Sequence, residues 1–315
     1  METREFEIRL PGVKTVVCHY ERFLSPNELY QKYSSPEMAL SDEKARLMRH
    51  DDFFDTERNP RPQKPSWAGF TSTSVLWKKF IEGVTNDEVT KDAMKYANTA
   101  KVSREDKLKD ISRNVYGGAV IVPAVLSGDP RNMWCVRRKR VRSRIIHLAV
   151  DVALTWDFSS DKYITAGKAL VRTIAKLERA GYRVGVEVMM SVYDHMNTDD
   201  RGRHVIAMSY PAKRPNEVMN FRKIIYPLTD TSFFRGVGFG WIVRNPNMGP
   251  NGALGQTAGS AFGYYNKDQE DGLERMYGGM FPKETVVIRF RDVASKKDMG
   301  EMERFLEAQM LDVEE

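Results

Sequence analysis

The segment from Arg144 to Tyr193 constrains this chain more than any other. "IIHLAVDVAL" is a nearly continuous apolar run of strand length, as expected for a strand covered on both faces. The stretch that follows, "DKYITAGKALVRTIAKLERAGYRV", places Ile164, Leu170, Val171, Ile174 and Leu177 at helical spacing. Lys168, Arg172, Lys176 and Arg179 fall largely on the opposite side. Gly181 stands where a helix-terminating glycine belongs, and "YRVGVEVMMSVY" reads as a second strand. Strand, helix and strand in succession make a βαβ unit, with parallel strands and a right-handed crossover. The predicted class is therefore α/β, with a mostly parallel central sheet.

The remaining elements follow from spacing and turn chemistry. Residues 1–110 are expected to form a helical N-terminal region with a short strand. There "FEIRLPGVKTVVCHY" alternates loosely around the turn signal Pro11-Gly12. Helices are predicted near Ser25-Pro26, from Ser41, around Val75 to Phe80, and from Asn86 to Ala97, with Pro60, Pro62 and Pro65 marking an extended connector. Residues 111–315 are expected to be the α/β core domain. Within it "NVYGGAVIVPAVLSGDPRNMW" reads as a strand followed by a short buried element, and "HVIAMSYP" as a strand antiparallel to its predecessor. Residues 245–279 read as a long glycine-rich loop, "ETVVIRFRDV" as a last strand and "DMGEMERFLEAQML" as a C-terminal amphipathic helix.

Composition excludes several classes. No run of 18 apolar residues exists, so no transmembrane helix is expected. The N-terminus lacks the apolar core of a secretory signal, which points to the cytosol. Cys18 and Cys135 are the only cysteines, too few for a disulfide framework, and are expected to be reduced and buried. The glycines of 249–265 lack the Gly-Lys-Ser/Thr ending of a phosphate-binding loop. No Ser-His-Asp, Cys-His or H-E-x-x-H arrangement is present, no cofactor is implied, and His147 is expected to be a satisfied core histidine. Asp157, Ser159 and Asp161 supply three oxygen-bearing side chains suited to a hard cation, against the alternative that they shape a loop and cap a helix. Asp194, His195, Asp199, Asp200 and His204 read as a polar turn ahead of a metal site.

The net charge of +6 is unevenly spread. Arg137, Arg138, Lys139, Arg140, Arg142 and Arg144 crowd the approach to the first core strand, with Trp134, Trp156 and Phe158 close by in sequence. Such a run can meet several phosphates, and aromatics beside it can stack on bases. Lys168, Arg172, Arg201 and Arg203 are expected to add to it. The competing reading is a charged lead-in that protects a sheet edge from aggregation.

Two resemblances bear on this. With "WAGF…FIEGV" before it and "AGKALVRTIAKLERAGYRV" after it, the Gly117–Met133 block matches a pattern G-G-x-V-x-V-P-x-x-L-x-G-D-P-x-x-M. In this it resembles a family of tailed-bacteriophage proteins of unknown function, over roughly residues 65–312. The resemblance implies a phage protein acting in the host cytoplasm, without assigned catalytic residues. The strand–helix–strand unit is also similar in architecture to the opening of von Willebrand A domains. Those hold a divalent metal through Asp-x-Ser-x-Ser, for which Asp151, Ala153 and Thr155 align here; Ala153 offers no oxygen, so the motif is broken.

The expected fold is thus of von Willebrand A or Rossmann-like type. The leading expectation is a nucleic-acid-binding accessory protein that prefers single-stranded DNA and acts in phage transcription or replication. A phage RNA polymerase or replication protein is its expected partner, with no membrane and with self-association open. The alternatives are a metal-less von Willebrand A-like interaction module and a divalent-metal-dependent hydrolase or nuclease.

Overall fold

The computed structural model of the protein describes residues 1–8, 15–33, 69, 72–99, 109–138, 144–154, 159–194, 203–247, 260–261 and 267–311. In chain order, β1 (Glu2–Ile8) and β2 (Val16–Arg22) precede α1 (Pro26–Tyr33), α2 (Thr73–Glu82) and α3 (Asp87–Asn98). A small group follows: β3 (Lys109–Asn114), β4 (Ala119–Val120), α4 (Val122–Leu126) and β5 (Met133–Arg138). It leads to β6 (Ile145–Asp151), α5 (Ser160–Arg179), β7 (Arg183–Asp194) and β8 (Arg203–Lys213). Then come α6 (Phe221–Thr229), a π-helical segment (Phe233–Gly238), α7 (Phe239–Arg244), β9 (Ser260–Ala261) and α8 (Lys267–Met280). The last elements are β10 (Thr285–Arg289), α9 (Phe290–Ala294) and α10 (Met299–Leu311).

The βαβ unit has the local chemistry its sequence announces. Ser159 Oγ accepts the Lys162 amide at 3.3 Å, Asp161 lies in the first turn of α5, and Lys176 and Arg179 lie in the last. At the other end Gly181 has φ 96°. The amides of Gly181 and Tyr182 return to the carbonyls of Glu178 and Leu177 at 3.1 and 3.0 Å, closing the helix in a Schellman motif. Gly167 faces α6: a Cβ there would stand 1.7 Å from the Leu228 carbonyl oxygen, so only a bare α-carbon lets the two helices meet.

The main sheet runs β1-β2-β8-β7-β6-β10, with β9 added to β7. β6 pairs in parallel with β7 and β10, and β2 with β8. β1/β2, β7/β8 and β7/β9 are antiparallel. The class is mixed α/β, which corrects the expectation of a mostly parallel sheet. Only β6–β7 is joined directly through a covering helix. The short connection from β7 to β8 forces antiparallel pairing, and β2, though parallel to β8, is itself paired with β1 in the antiparallel sense.

The N-terminal region is likewise more than helices and a short strand. β1 and β2 extend the main sheet beside β8, and Phe23, Leu29, Leu76, Trp77, Phe80 and Val89 belong to the same buried cluster as Leu148, Val188 and Leu170. Glu21, only 5% exposed, accepts from Lys32, the Tyr33 hydroxyl and the Trp241 indole, tying β2 to α1 and α7. The loop expected over 245–279 contains the helix α8. The helix expected from Ser41 and the proline-rich connector, apart from Gly69, lie outside the described residues.

The two faces of the sheet are covered unequally. On one, α5, α6, the π-helical segment, α2 and the C-terminal helices bury Ile146, Leu148, Val150, Val186, Val188, Ile206 and Met208. Trp77, Phe80, Tyr210, Tyr226 and Phe233 interlock there, with Phe80 edge-on to Tyr210 at 5.4 Å. On the other face a smaller cluster joins Ile8, Val16, Cys18, Ala149 and Met189 to Met276, Tyr277 and Met280 of α8.

The outer surface of α5 is held by ion pairs. Arg172 donates Nε and Nη2 to the two oxygens of Asp92 on α3, and Nη1 to Glu303 on α10 at 2.8 Å. Lys168 pairs with Glu88 at 3.0 Å, and Lys176 with Glu307. The sequence counts Lys168 and Arg172 among the phosphate contacts. Both cations face the protein's own carboxylates, and Arg172 joins three helices.

That clamp has an acid limb. The Arg172 hydrogen bonds hold the Asp92 carboxyl below its ordinary value of 3.8. A depressed folded-state pKa contributes stability above the unfolded value and loses it as pH falls through the folded one. Arg172→Ala is expected to lower unfolding free energy by about 1–3 kcal/mol at neutral pH, with a smaller deficit at pH values below that range. Urea titrations across pH check this.

Candidate nucleic-acid interface

Strands β3, β5 and β4 form a separate sheet of their own, in that order and wholly antiparallel. Gly117 makes the crossing between its strands possible: a Cβ there would stand 2.0 Å from the Trp134 carbonyl oxygen, while the Gly118 amide donates to that oxygen at 2.9 Å. The Ile121 amide reaches the Asn132 carbonyl at 2.7 Å, and the Asp129 amide the Ala124 carbonyl at 2.9 Å, folding α4 back onto β5. Asp129 Oδ1 then accepts the Arg131 amide at 2.8 Å.

The surface this makes is apolar and open. Among the described residues, Val115, Tyr116, Val120, Val122, Val125, Leu126 and Trp134 are half of all the exposed large hydrophobic side chains. Tyr116 is 60% exposed, Leu126 83% and Trp134 39%. The short element expected to be buried here is thus a surface, with only Ile121 and Ala124 turned inward. Its apolar content suggested a core, but β4 has two residues, and among the described residues a three-stranded sheet with one short helix has little to bury them against. A patch of this kind marks an interaction site more often than a defect.

Cations adjoin it. The Arg113 guanidinium lies 6.0 Å from the Trp134 ring centroid, in the strand position directly across from it. Arg131 is exposed beside Asp129. Arg137 and Arg138 end β5, opposite Asp110 and Lys109 in register. Lys139, Arg140 and Arg142 lie outside the described residues. Arg144 is exposed, and its carbonyl accepts the Arg183 amide at 2.8 Å as β6 begins. The basic run therefore bridges the two sheets. Of the other expected contacts, Arg203 opens β8 opposite Val16, and Arg201 lies outside the described residues, as do Trp156 and Phe158. Arg113 and Tyr116 were not singled out by spacing; an uncharged stretch from Val115 to Gly128 between arginines was the available signal.

The candidate metal ligands resolve differently. Ser159 caps α5 and Asp161 lies in its first turn, while Asp157 is outside the described residues. Asp194 and His204 are register partners at the end of the β7–β8 pair; His195, Asp199 and Asp200 are not described. Among the described residues no group of three or more His, Cys, Asp or Glu is placed to hold a metal ion. Asp151, at the position where von Willebrand A domains begin their metal loop, is buried. Its Oδ1 accepts the Ala153 amide at 3.0 Å, and its Oδ2 accepts the hydroxyls of Ser191 at 2.7 Å and Tyr277 at 2.9 Å. No described helix is long and apolar enough to cross a membrane.

Residues 13–313 match the family described as Domain of unknown function (DUF7192). The chain belongs to that family. The match takes in β2 and α1–α3 as well as the later elements, in agreement with their shared core. No curated protein and no solved structure matches the chain.

Burial raises the Asp151 carboxyl above its ordinary value of 3.8. A raised folded-state pKa in an acid means that the folded form prefers the neutral group, so its contribution is full below the unfolded value and is lost as pH rises through the folded one. Asp151→Asn is expected to remove that loss. The stability of the variant relative to the native chain should rise between acid and neutral pH, as read by denaturant midpoints. A flat difference would mean that the hydrogen bonds offset burial, and a falling one that they outweigh it.

Proposed function

We propose that the protein binds single-stranded nucleic acid through the small sheet and the basic run that leaves it. The observation that carries this reading is the exposed Trp134, beside Arg113, on the strand that continues into Arg137 and Arg138, with the exposed Tyr116 in the same small sheet's connection. Aromatic faces stack on bases of any identity, and cations track the phosphates between them. No helix-turn-helix or zinc finger is evident among the described residues, so the reading is of sequence-independent binding. The single strand in question is DNA in the version we favour, made accessible during phage transcription or replication in the host cytoplasm.

The aliphatic side chains of the same patch favour a second role. Val120, Val122, Val125 and Leu126 suit a protein surface better than a base. They support docking of a partner such as a phage RNA polymerase or replication protein beside the bound strand. The succession β8-β7-β6-β10, with α5 crossing from β6 to β7, supports a von Willebrand A-like ancestry for this part of the sheet, a fold type in keeping with partner binding.

Two variants test the lead reading by fluorescence anisotropy on a single-stranded oligonucleotide. Changing Arg137, Arg138, Lys139 and Arg140 to Ala should reduce the slope of log affinity against log salt by about 3, at about 0.7 per lost phosphate contact. Trp134→Ala should weaken binding by about 1–3 kcal/mol, the usual contribution of one stacked base. Unchanged affinity in both would remove the reading.

A further inference from the structure

We propose that the uncovered half of the second sheet face is a groove for the same single strand, a second contact surface continuing from the basic run; this rests on the reading above. α8 covers only one end of that face. Among the described residues the other end, where β6, β7 and β10 begin, is open, with a cavity of about 1030 Å³. This is at the upper end of the roughly 300–1,000 Å³ of small-molecule sites, and it suits a stretch of chain better than a compact ligand.

The floor is set by register. Thr285, His147 and Gly185 form one row across β10, β6 and β7. Glu187 faces Pro211 one step on, after a bulge between Val186 and Glu187. Pro215 lies over Gly185, 2.7 Å from where a Cβ would stand. His147, expected to be a core histidine, is exposed on this floor, because α8 stops short of it. Pro211, Pro215 and Pro282 give the groove apolar walls, with Phe281 buried behind them.

Its cations are oriented in advance. Arg22 donates Nε and Nη2 to the two oxygens of Glu187, each at 2.8 Å, and Ser209 donates to the same carboxylate. Arg4 uses Nε and Nη2 on Glu2. Among the described residues, Nη1 of each remains for an anion, on a guanidinium whose direction is already fixed. Around the rim Arg183, Arg214 and Lys283 are exposed. Of the nearby acids, Glu178 holds the buried Lys213 and Glu217 accepts the Arg214 amide; Glu284 is the carboxylate left at the rim. The surplus is positive and matches a phosphodiester chain.

Continuity supplies the occupant. The basic run ends at Arg144, next to Ile145, the exposed first residue of β6 and the register partner of Arg183. Six peptide steps separate Arg138 from Arg144, so the end of β5 lies within about 22 Å of this rim. A strand stacked on Trp134 and following the run arrives at the groove.

The test is binding of the full chain to oligothymidylates of about 4 to 16 nucleotides, the usual range of such sites. For the native protein, affinity should rise with length as both surfaces fill. His147→Glu with Arg214→Glu, at two exposed positions, should leave the shortest oligomer unaffected and cost the longest about tenfold. Glu284→Lys should tighten the longest about threefold. The variant lacking Arg137, Arg138, Lys139 and Arg140 should lose affinity at every length. If the groove variants follow the native curve while the run variant does not, the groove is overturned and the small-sheet reading stands. If the native chain binds no oligomer of any length, both fall.

Discussion

Burial of one whole face of the main sheet beneath α5 and its neighbours is the constraint from which the rest follows. Parallel β6 and β7 place Leu148, Val150, Val186 and Val188 against Leu170 and Ile174, and a covering helix is the connection that closes such a pair. Polar groups buried on either side of the sheet are costly unless paired. Glu21 and Asp151 each accept from three donors or more, and Arg172 carries the charge of Asp92 and Glu303 between helices. Among the described residues the opposite face has one helix to cover it, and that imbalance leaves part of it open.

Much of this was legible in the chain itself. The period of α5, its serine cap and its terminating glycine are local signals, and they specify the βαβ unit without reference to anything distant. The pairing of the β1–β2 hairpin with β8 through β2 was not legible in the same way. It joins residues nearly two hundred positions apart, as Cys18 with Val205, and no local pattern records which edge an N-terminal hairpin will choose. The helix α8 was hidden by its glycines: Gly278 and Gly279 read as loop, yet Gly279 is where the helix meets the ring of Phe6.

The proposed interface was half legible. Density of charge picked out Arg137 to Arg144, and proximity picked out Trp134. Lys168 and Arg172 were counted among the phosphate contacts because charge on a helix face does not reveal that acids from α3 and α10 stand opposite. The tip from Val115 to Leu126 was misread for a physical reason: apolar composition marks both a core and a docking surface, and only the amount of structure around it tells them apart. His147 differs in kind. Its strand is central, but burial there depends on how far α8 extends, which the strand's own sequence does not encode.

The account stands on a sheet outside the main core presenting aromatic rings and cations together to a polyanion. Photo-cross-linking of a halogenated-uracil single strand to the intact chain, with the attached peptide mapped by mass spectrometry, tests this most directly. Attachment is predicted at Trp134 or Tyr116. Attachment confined to the outer surface of α5, or none under conditions where the strand is bound, would contradict it.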